Sequence, residues 1–212
     1  MYSVSSINMN RYGRWHEDIH ESVSFYNNWF LHYAPIVYQQ QRGRATRIIE
    51  TIFDNTDNLF NISAEVLKQH PEIFRVLRLA TAPPLAKDRI MGLSGVSKNL
   101  INRLEDGKFP LKMSIDELND NLRAICKTLK TLIDKDIFKW LNSDKLPSRS
   151  VKAQAASVLS DRLCSSLADP IIRNEQERRQ LDTIFKILDA HGYTQVESSK
   201  ITSIWDFPRH CY

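Results

Sequence analysis

The sequence predicts an all-α fold, a multi-helix orthogonal bundle with an irregular C-terminal tail, and three observations carry that prediction. Apolar residues recur three or four apart in one segment after another, the spacing that lines up one helix face. No segment before residue 193 alternates with the period of two expected of a half-buried strand. Proline, glycine and capping residues stand where such helices should begin and end. Composition agrees: 42 % hydrophobic and 25 % charged residues, with 6 Gly and 8 Pro in 212, exclude fibrous and low-complexity chains. At roughly 150 residues per domain, the length suits one or two domains.

The elements follow in order. Trp15, Ile19, Val23, Tyr26 and Phe30 form a first stripe that should face a core, and Pro35 should stop that helix because proline has no amide to donate. Ile48, Ile49, Ile52 and Phe53 mark a second helix, and Val66 with Leu67 a short third. Pro71 suits the first turn of a fourth, which continues through Phe74 and Leu77 until Pro83-Pro84. Ser114 and Glu117 have capping-box spacing, the serine oxygen taking the third helical amide. A long helix follows on Ile115, Leu118, Leu122, Ile125, Leu129 and Leu132, until Asp134 to Asp136 interrupt it. After Pro147, Val151, Ala155, Val158, Leu159 and Leu163 mark another helix. Asp169-Pro170 reads as the N-cap and first residue of the next, so residues 146–192 should form a helical hairpin. Gly192 suits the left-handed position that ends it, with His191 favourable beside the helix dipole.

Most enzyme chemistry is excluded by spacing. His16-Glu17-Asp18-Ile19-His20 matches HExxH literally, but no third ligand follows at a familiar interval, and a solvated helix face explains the match. The one (Asp/Glu)-x-Lys triplet that stands out, Asp106-Gly107-Lys108, sits in a helix-ending turn, whereas a nuclease needs carboxylates that converge on a metal. There is no P-loop, GxSxG or GxGxxG. The three cysteines, Cys126, Cys164 and Cys211, form no CxxC pair, which points to reduced thiols and a cytoplasmic protein. Charged residues break every apolar run well short of the ~18 residues a spanning helix needs, so no membrane partner is expected. A formal charge of +4 is compatible with a polyanionic partner without demanding one.

One segment carries a mechanism. Ile90 to Ser97 followed by Lys98 to Lys108 resembles the helix-turn-helix of phage repressors through its Gly95-Val96-Ser97, Ile101, Leu104-Glu105 and Gly107-Lys108 pattern. Gly95 can take the left-handed turn, Ser97 can cap the second helix, and Val96, Ile101 and Leu104 can bury its inner face. The outer face is then Ser97, Lys98, Asn99, Asn102 and Arg103, side chains that suit base edges and phosphates. Met91 occupies the position where that motif wants a small residue. A second basic cluster, Arg42, Arg44 and Arg47, can clamp phosphates, and Arg173, Arg178 and Arg179 lie among Glu175 and Glu177. The expected organisation is a DNA-binding region over 1–145 with the helix-turn-helix at 86–107, the hairpin over 146–192, and an irregular tail over 193–212.

From Trp15 to about Tyr193 the sequence resembles the XamI-like family of type II restriction endonucleases. Four stretches carry it: Trp15, Asp18-Ile19, Ser22-Val23 and Trp29-Phe30; Leu79 to Ala86 with Asp88-Arg89; Gly95 to Gly107; and Arg173-Asn174, Gln176-Glu177 and Gln180-Leu181. The resemblance implies magnesium-dependent cleavage of double-stranded DNA at a short palindrome by a two-fold homodimer. It also implies a strand-rich nuclease part with a Glu-x-Lys after the helical part. No such motif is present, so the expected function is the DNA-binding portion of such an enzyme, with no catalytic residue and no cofactor assigned within this chain. On that expectation the tail is the start of a nuclease domain, or a divergent or frameshifted end. A stand-alone helix-turn-helix regulator and an all-α interaction module are the alternatives.

Overall fold

A computed structural model describes residues 11–143 and 145–196. It is all-α: seven helices, α1 (Tyr12–Asn55), α2 (Ala64–Gln69), α3 (Phe74–Leu79), α4 (Lys87–Ser94), α5 (Lys98–Glu105), α6 (Ile115–Leu132) and α7 (Arg149–Ala190). Short 3-10 turns at Pro71–Ile73 and Lys139–Asn142 complete the order. Thr81 and Ile133 form an isolated antiparallel bridge, and the described residues contain no strand. Residues 193–196 are not helical, and the rest of the tail, with Cys211, lies outside the described residues.

Two expected helix breaks do not occur. Pro35 lies inside α1, which makes the first and second expected helices one. Pro170 lies inside α7, so a single helix stands where the hairpin was expected. An interior proline removes one amide donor and leaves the carbonyl four residues earlier without its helical bond. At Pro170 that carbonyl belongs to Ser166, and Arg75 Nη2 donates to it at 2.9 Å and to the Ser166 hydroxyl at 3.2 Å. A side chain ninety-one positions away in sequence repairs the ladder.

The chain divides into two compact units, residues 38–167 and the pair of segments 1–37 and 168–212. The first holds one continuous core, with Phe53, Phe74, Phe138, Ile49, Leu67, Leu77, Leu100 and Leu129 among its fully buried members. Phe53, Phe138 and Trp140 meet edge to face at 5.6 to 6.4 Å, a favoured aromatic geometry, and the Trp140 indole donates to the Asn58 carbonyl at 2.8 Å. The backbone at Asp57, Asn58 and Leu59 is left-handed in three successive residues. The Thr56 hydroxyl holds this turn, donating to Ile52 O at 2.6 Å and accepting from Leu59 N at 3.0 Å.

The other unit is built differently. In segment 11–37 and segment 168–196 the buried hydrophobic residues are Ala34, Val37 and Ala168. Ile19, Val23, Tyr26 and Phe30, expected in a core, are instead 59 %, 50 %, 36 % and 40 % exposed. Their stripe is real as a helix face, but no second layer covers it among the described residues.

The capping readings at Ser114 and Gly192 are borne out, whereas Asp169, read as an N-cap, lies inside α7. Ser114 Oγ accepts from Glu117 N at 3.2 Å at the start of α6, whose Leu122, Ile125 and Leu129 are fully buried while Ile115 is exposed. Gly192 is left-handed, with Tyr193 N bonding Leu188 O and Gly192 N bonding Asp189 O, the paired bonds of a glycine-terminated helix. Asp106-Gly107-Lys108 closes α5 in the same way, with Lys108 N on Arg103 O and Gly107 N on Leu104 O.

Candidate nucleic-acid interface

Helices α4 and α5 are joined through Gly95, at φ +68° and accepting no strain there because it has no Cβ, and Ser97, whose side chain accepts from Leu100 N at 3.2 Å. Val96, Ile101 and Leu104 are buried as expected, and Leu100 is buried with them. Ser97, Lys98, Asn99 and Arg103 are exposed. Asn102 is half-buried, and its side-chain oxygen accepts from Lys87 Nζ of α4 at 3.3 Å. Asn99 and Arg103 share a cleft of about 350 Å³ with Lys112, Met113 and Glu117, so the loop after α5 adds a lysine to this face.

What fixes α5 was missed at the level of sequence. Arg78 of α3 makes a two-pronged ion pair with Glu105, the last residue of α5, through its Nε and, at 3.0 Å, its Nη2. Both side chains are only about one-eighth exposed, at 13 % and 12 %. A planar guanidinium bonded by two parallel contacts sets orientation as well as distance. The third guanidinium nitrogen, Nη1, donates to Leu85 O at 2.8 Å, so one residue ties α5 to the 79–86 connector.

That connector, part of one of the four stretches that carry the family resemblance, is scaffold. Arg162 donates to the carbonyls of Leu79 and Thr81 at 2.9 and 3.3 Å and to the Asp134 carboxylate at 3.1 Å. The Thr81 hydroxyl reaches Arg78 O and Pro83 O, both at 2.8 Å, and Ala82 N and Asp134 N bond across to Leu132 O and Ala80 O. Asp134, expected merely to interrupt a helix, is a buried carboxylate paired with Arg162. The signal was an arginine on the otherwise apolar face of α7 that also carries Ala155, Leu159 and Leu163.

The basic clusters differ from one another. Arg44 and Arg47 are exposed on α1 within one turn, free to meet a polyanion. Arg42 is exposed but pairs with Asp161 at 2.6 Å and lies 5.6 Å from the centre of the Tyr38 ring. Arg178 is neutralised by Glu175 at 2.6 Å and Asp182 at 3.8 Å. The Arg178 hydrogen bond holds the Glu175 carboxyl below the usual carboxylate range, and the same bond raises Arg178. Arg179 sits over the rings of Phe25 and Trp29 at 5.1 and 5.4 Å.

His16, Glu17 and His20 all lie on exposed α1 surface, and among the described residues no set of three or more His, Cys, Asp or Glu could hold a metal ion. Burial pushes the Cys126 thiol up to about 12, which leaves it protonated and unreactive, and Cys164 is buried. No described helix is long and apolar enough to cross a membrane.

Against known proteins, residues 57–212 match the pattern of the XamI restriction endonuclease family. The chain belongs to this family. It is also 43 % identical over 189 residues to the type II restriction enzyme SalI of Streptomyces albus G. That match covers 89 % of this chain and 60 % of the relative, less than two thirds of the relative's length. No solved structure matches. The XamI pattern runs through residue 212. The pattern omits residues before 57, whereas the likeness to SalI is long enough to reach them.

Proposed function

We propose that this chain is the DNA-engaging, helical portion of a type II restriction endonuclease, with α4, Gly95 and α5 acting as a helix-turn-helix. The observation that carries this reading is the outer face of α5. Ser97, Lys98, Asn99 and Arg103 point outward on a helix whose inner face is buried and whose end is held by Arg78, in a chain of restriction-endonuclease ancestry. A recognition helix must be rigid, because base readout depends on donors held in register with a groove. Asn102 joins the readout by exchanging Lys87 for a base edge, with Lys87 then free for a phosphate. Arg44 and Arg47 supply contacts that do not depend on sequence. Double-stranded DNA is the partner, and magnesium belongs to the complete enzyme. No step of hydrolysis is assigned to the described residues. Family membership favours this reading over a stand-alone regulator.

The test is a gel shift on a duplex selected from a random pool, beside a plasmid incubation with magnesium. The chain should retard the selected duplex in a salt-dependent way, the log affinity falling by nearly one unit of slope per phosphate contacted, and leave the plasmid uncut. Asn99→Ala or Arg103→Ala should cost about 1 to 3 kcal/mol on the selected duplex and much less on random DNA. Arg44→Ala should weaken both equally. Absence of retardation at low salt refutes the binding reading, and discrete fragments refute the view that this chain does not cut.

A further inference from the structure

We infer that Leu111, at the tip of the loop between α5 and α6, reads the 5-methyl group of a thymine in the groove that α5 enters. The inference rests on the DNA reading of α5 and adds to it a base contact that no polar side chain makes. Leu111 is 95 % exposed, the most open of the large hydrophobic side chains among the described residues. An exposed leucine is ordinary on its own, and what sets this one apart is how it is held and what surrounds it. Phe109 and Met113, two residues to either side, are half-buried and pack on the core. Gly107, left-handed at φ +67°, lies so close to Glu72 that a Cβ would stand 3.3 Å from the Glu72 Cβ, and Lys108 N bonds Arg103 O at 2.8 Å. On the far side the Ser114 cap starts α6, and Pro110 removes a backbone freedom by fixing its own φ. The loop is tied at both ends, and its apex side chain is held in solvent by anchored neighbours.

Leu111 lines the same cleft of about 350 Å³ as Asn99 and Arg103 of α5. A duplex seated against those two side chains therefore meets Leu111 in the same groove. Exposed Lys112 follows Leu111 directly, exposed Lys108 stands three residues before it, and the cleft sets Arg103 and Lys112 against the carboxylate of Glu117. Cations around an apolar tip suit a polyanion that carries an apolar group inside its groove, whereas the core of a protein interface is depleted of charge. In the major groove the base pairs present donors, acceptors and one apolar group, the C5 methyl of thymine. The leucine side chain has no donor or acceptor, so that methyl is the group it can answer. Removing one methyl group from water corresponds to about a four-fold change in affinity.

The test uses the full chain and the duplex selected from a random pool, with each thymine replaced in turn by uracil, which lacks the methyl and keeps every donor and acceptor. The wild-type chain should bind about three- to ten-fold more weakly when one particular thymine is replaced. Leu111→Ala should lose a similar factor on the thymine duplex and no longer distinguish thymine from uracil at that position. Leu146→Ala, at a leucine 73 % exposed outside the cleft, should keep wild-type affinity and wild-type discrimination. The uracil arm alters the DNA and not the protein, so a misfolded variant cannot imitate it. A selected duplex without thymine, a wild-type chain indifferent to every replacement, or a Leu111→Ala chain as sensitive as wild type would each overturn the inference. If Asn99→Ala and Arg103→Ala still weaken binding in those cases, the leucine contact alone fails. If they too leave affinity unchanged, the reading of α5 fails with it.

Discussion

Residues 38–167 and the outer segments of α1 and α7 draw on the same amphipathic alphabet and reach opposite ends. In the former, stripes from α2 to α6 and the inner parts of α1 and α7 close on one another, and Phe53, Phe74 and Leu100 lose all contact with solvent. In the latter, a stripe of equal regularity, Ile19 to Phe30, stays 36 % to 59 % exposed. The difference lies in what accompanies each stripe. The core unit places several helices and two arginine-carboxylate clamps around its apolar faces, while the outer unit has two helices and nothing above them among the described residues. Periodicity thus marks a face that must be covered, and leaves open whether the same chain covers it.

The contrast can be broken most directly by paired truncations. Phe53→Ala should cost about 3 to 5 kcal/mol in urea denaturation, since it empties a site enclosed by Phe138 and Trp140. Leu31→Ala, on the open face, should change the stability of dilute protein by no more than about 0.5 kcal/mol. Equal losses would mean that the outer face is packed and the comparison false.

Next in size is the clamp on the connector. Arg162→Met strands the buried Asp134 carboxylate and two carbonyls, and should cost about 3 kcal/mol. The double change Arg162→Met with Asp134→Leu should recover part of that loss, because the greater penalty comes from an unpaired buried charge. Recovery is what a double-mutant cycle reads, and additive losses would count against the pairing.

The smallest expected effect sharpens the boundary between the two regions. Arg75→Met removes the donor that serves the Ser166 carbonyl, and should cost about 1 to 3 kcal/mol. Amide exchange should accelerate in α7 near Pro170 more than in α6. Uniform acceleration would show that Arg75 acts on the whole fold and not on the proline site.

Legibility in the sequence followed the range of the interactions. The caps at Ser97 and Ser114, the left-handed glycines at 95, 107 and 192, and the inner face of α5 are set by contacts within one or two turns, so local spacing revealed them. The candidate readout residues were legible for the same reason, since the outer face of α5 is what remains once the inner face is assigned. Asn102 was only partly so, because its Lys87 contact comes from the neighbouring helix.

By itself, then, the sequence determined an all-α chain, the caps at Ser97, Ser114 and Gly192, and a kinship confirmed over residues 57–212. Tertiary structure decided the rest. Pro35 and Pro170 read locally as helix breakers, and at Pro170 a guanidinium from another helix supplies the missing donor, which turns an expected hairpin into one helix. Arg78 with Glu105 and Arg162 with Asp134 join residues about 27 positions apart, and nothing in local spacing signals such partners. A side chain's immediate neighbours along the chain fix its backbone preference, but whether its charge is paired or its apolar face covered depends on elements that only the folded chain brings together.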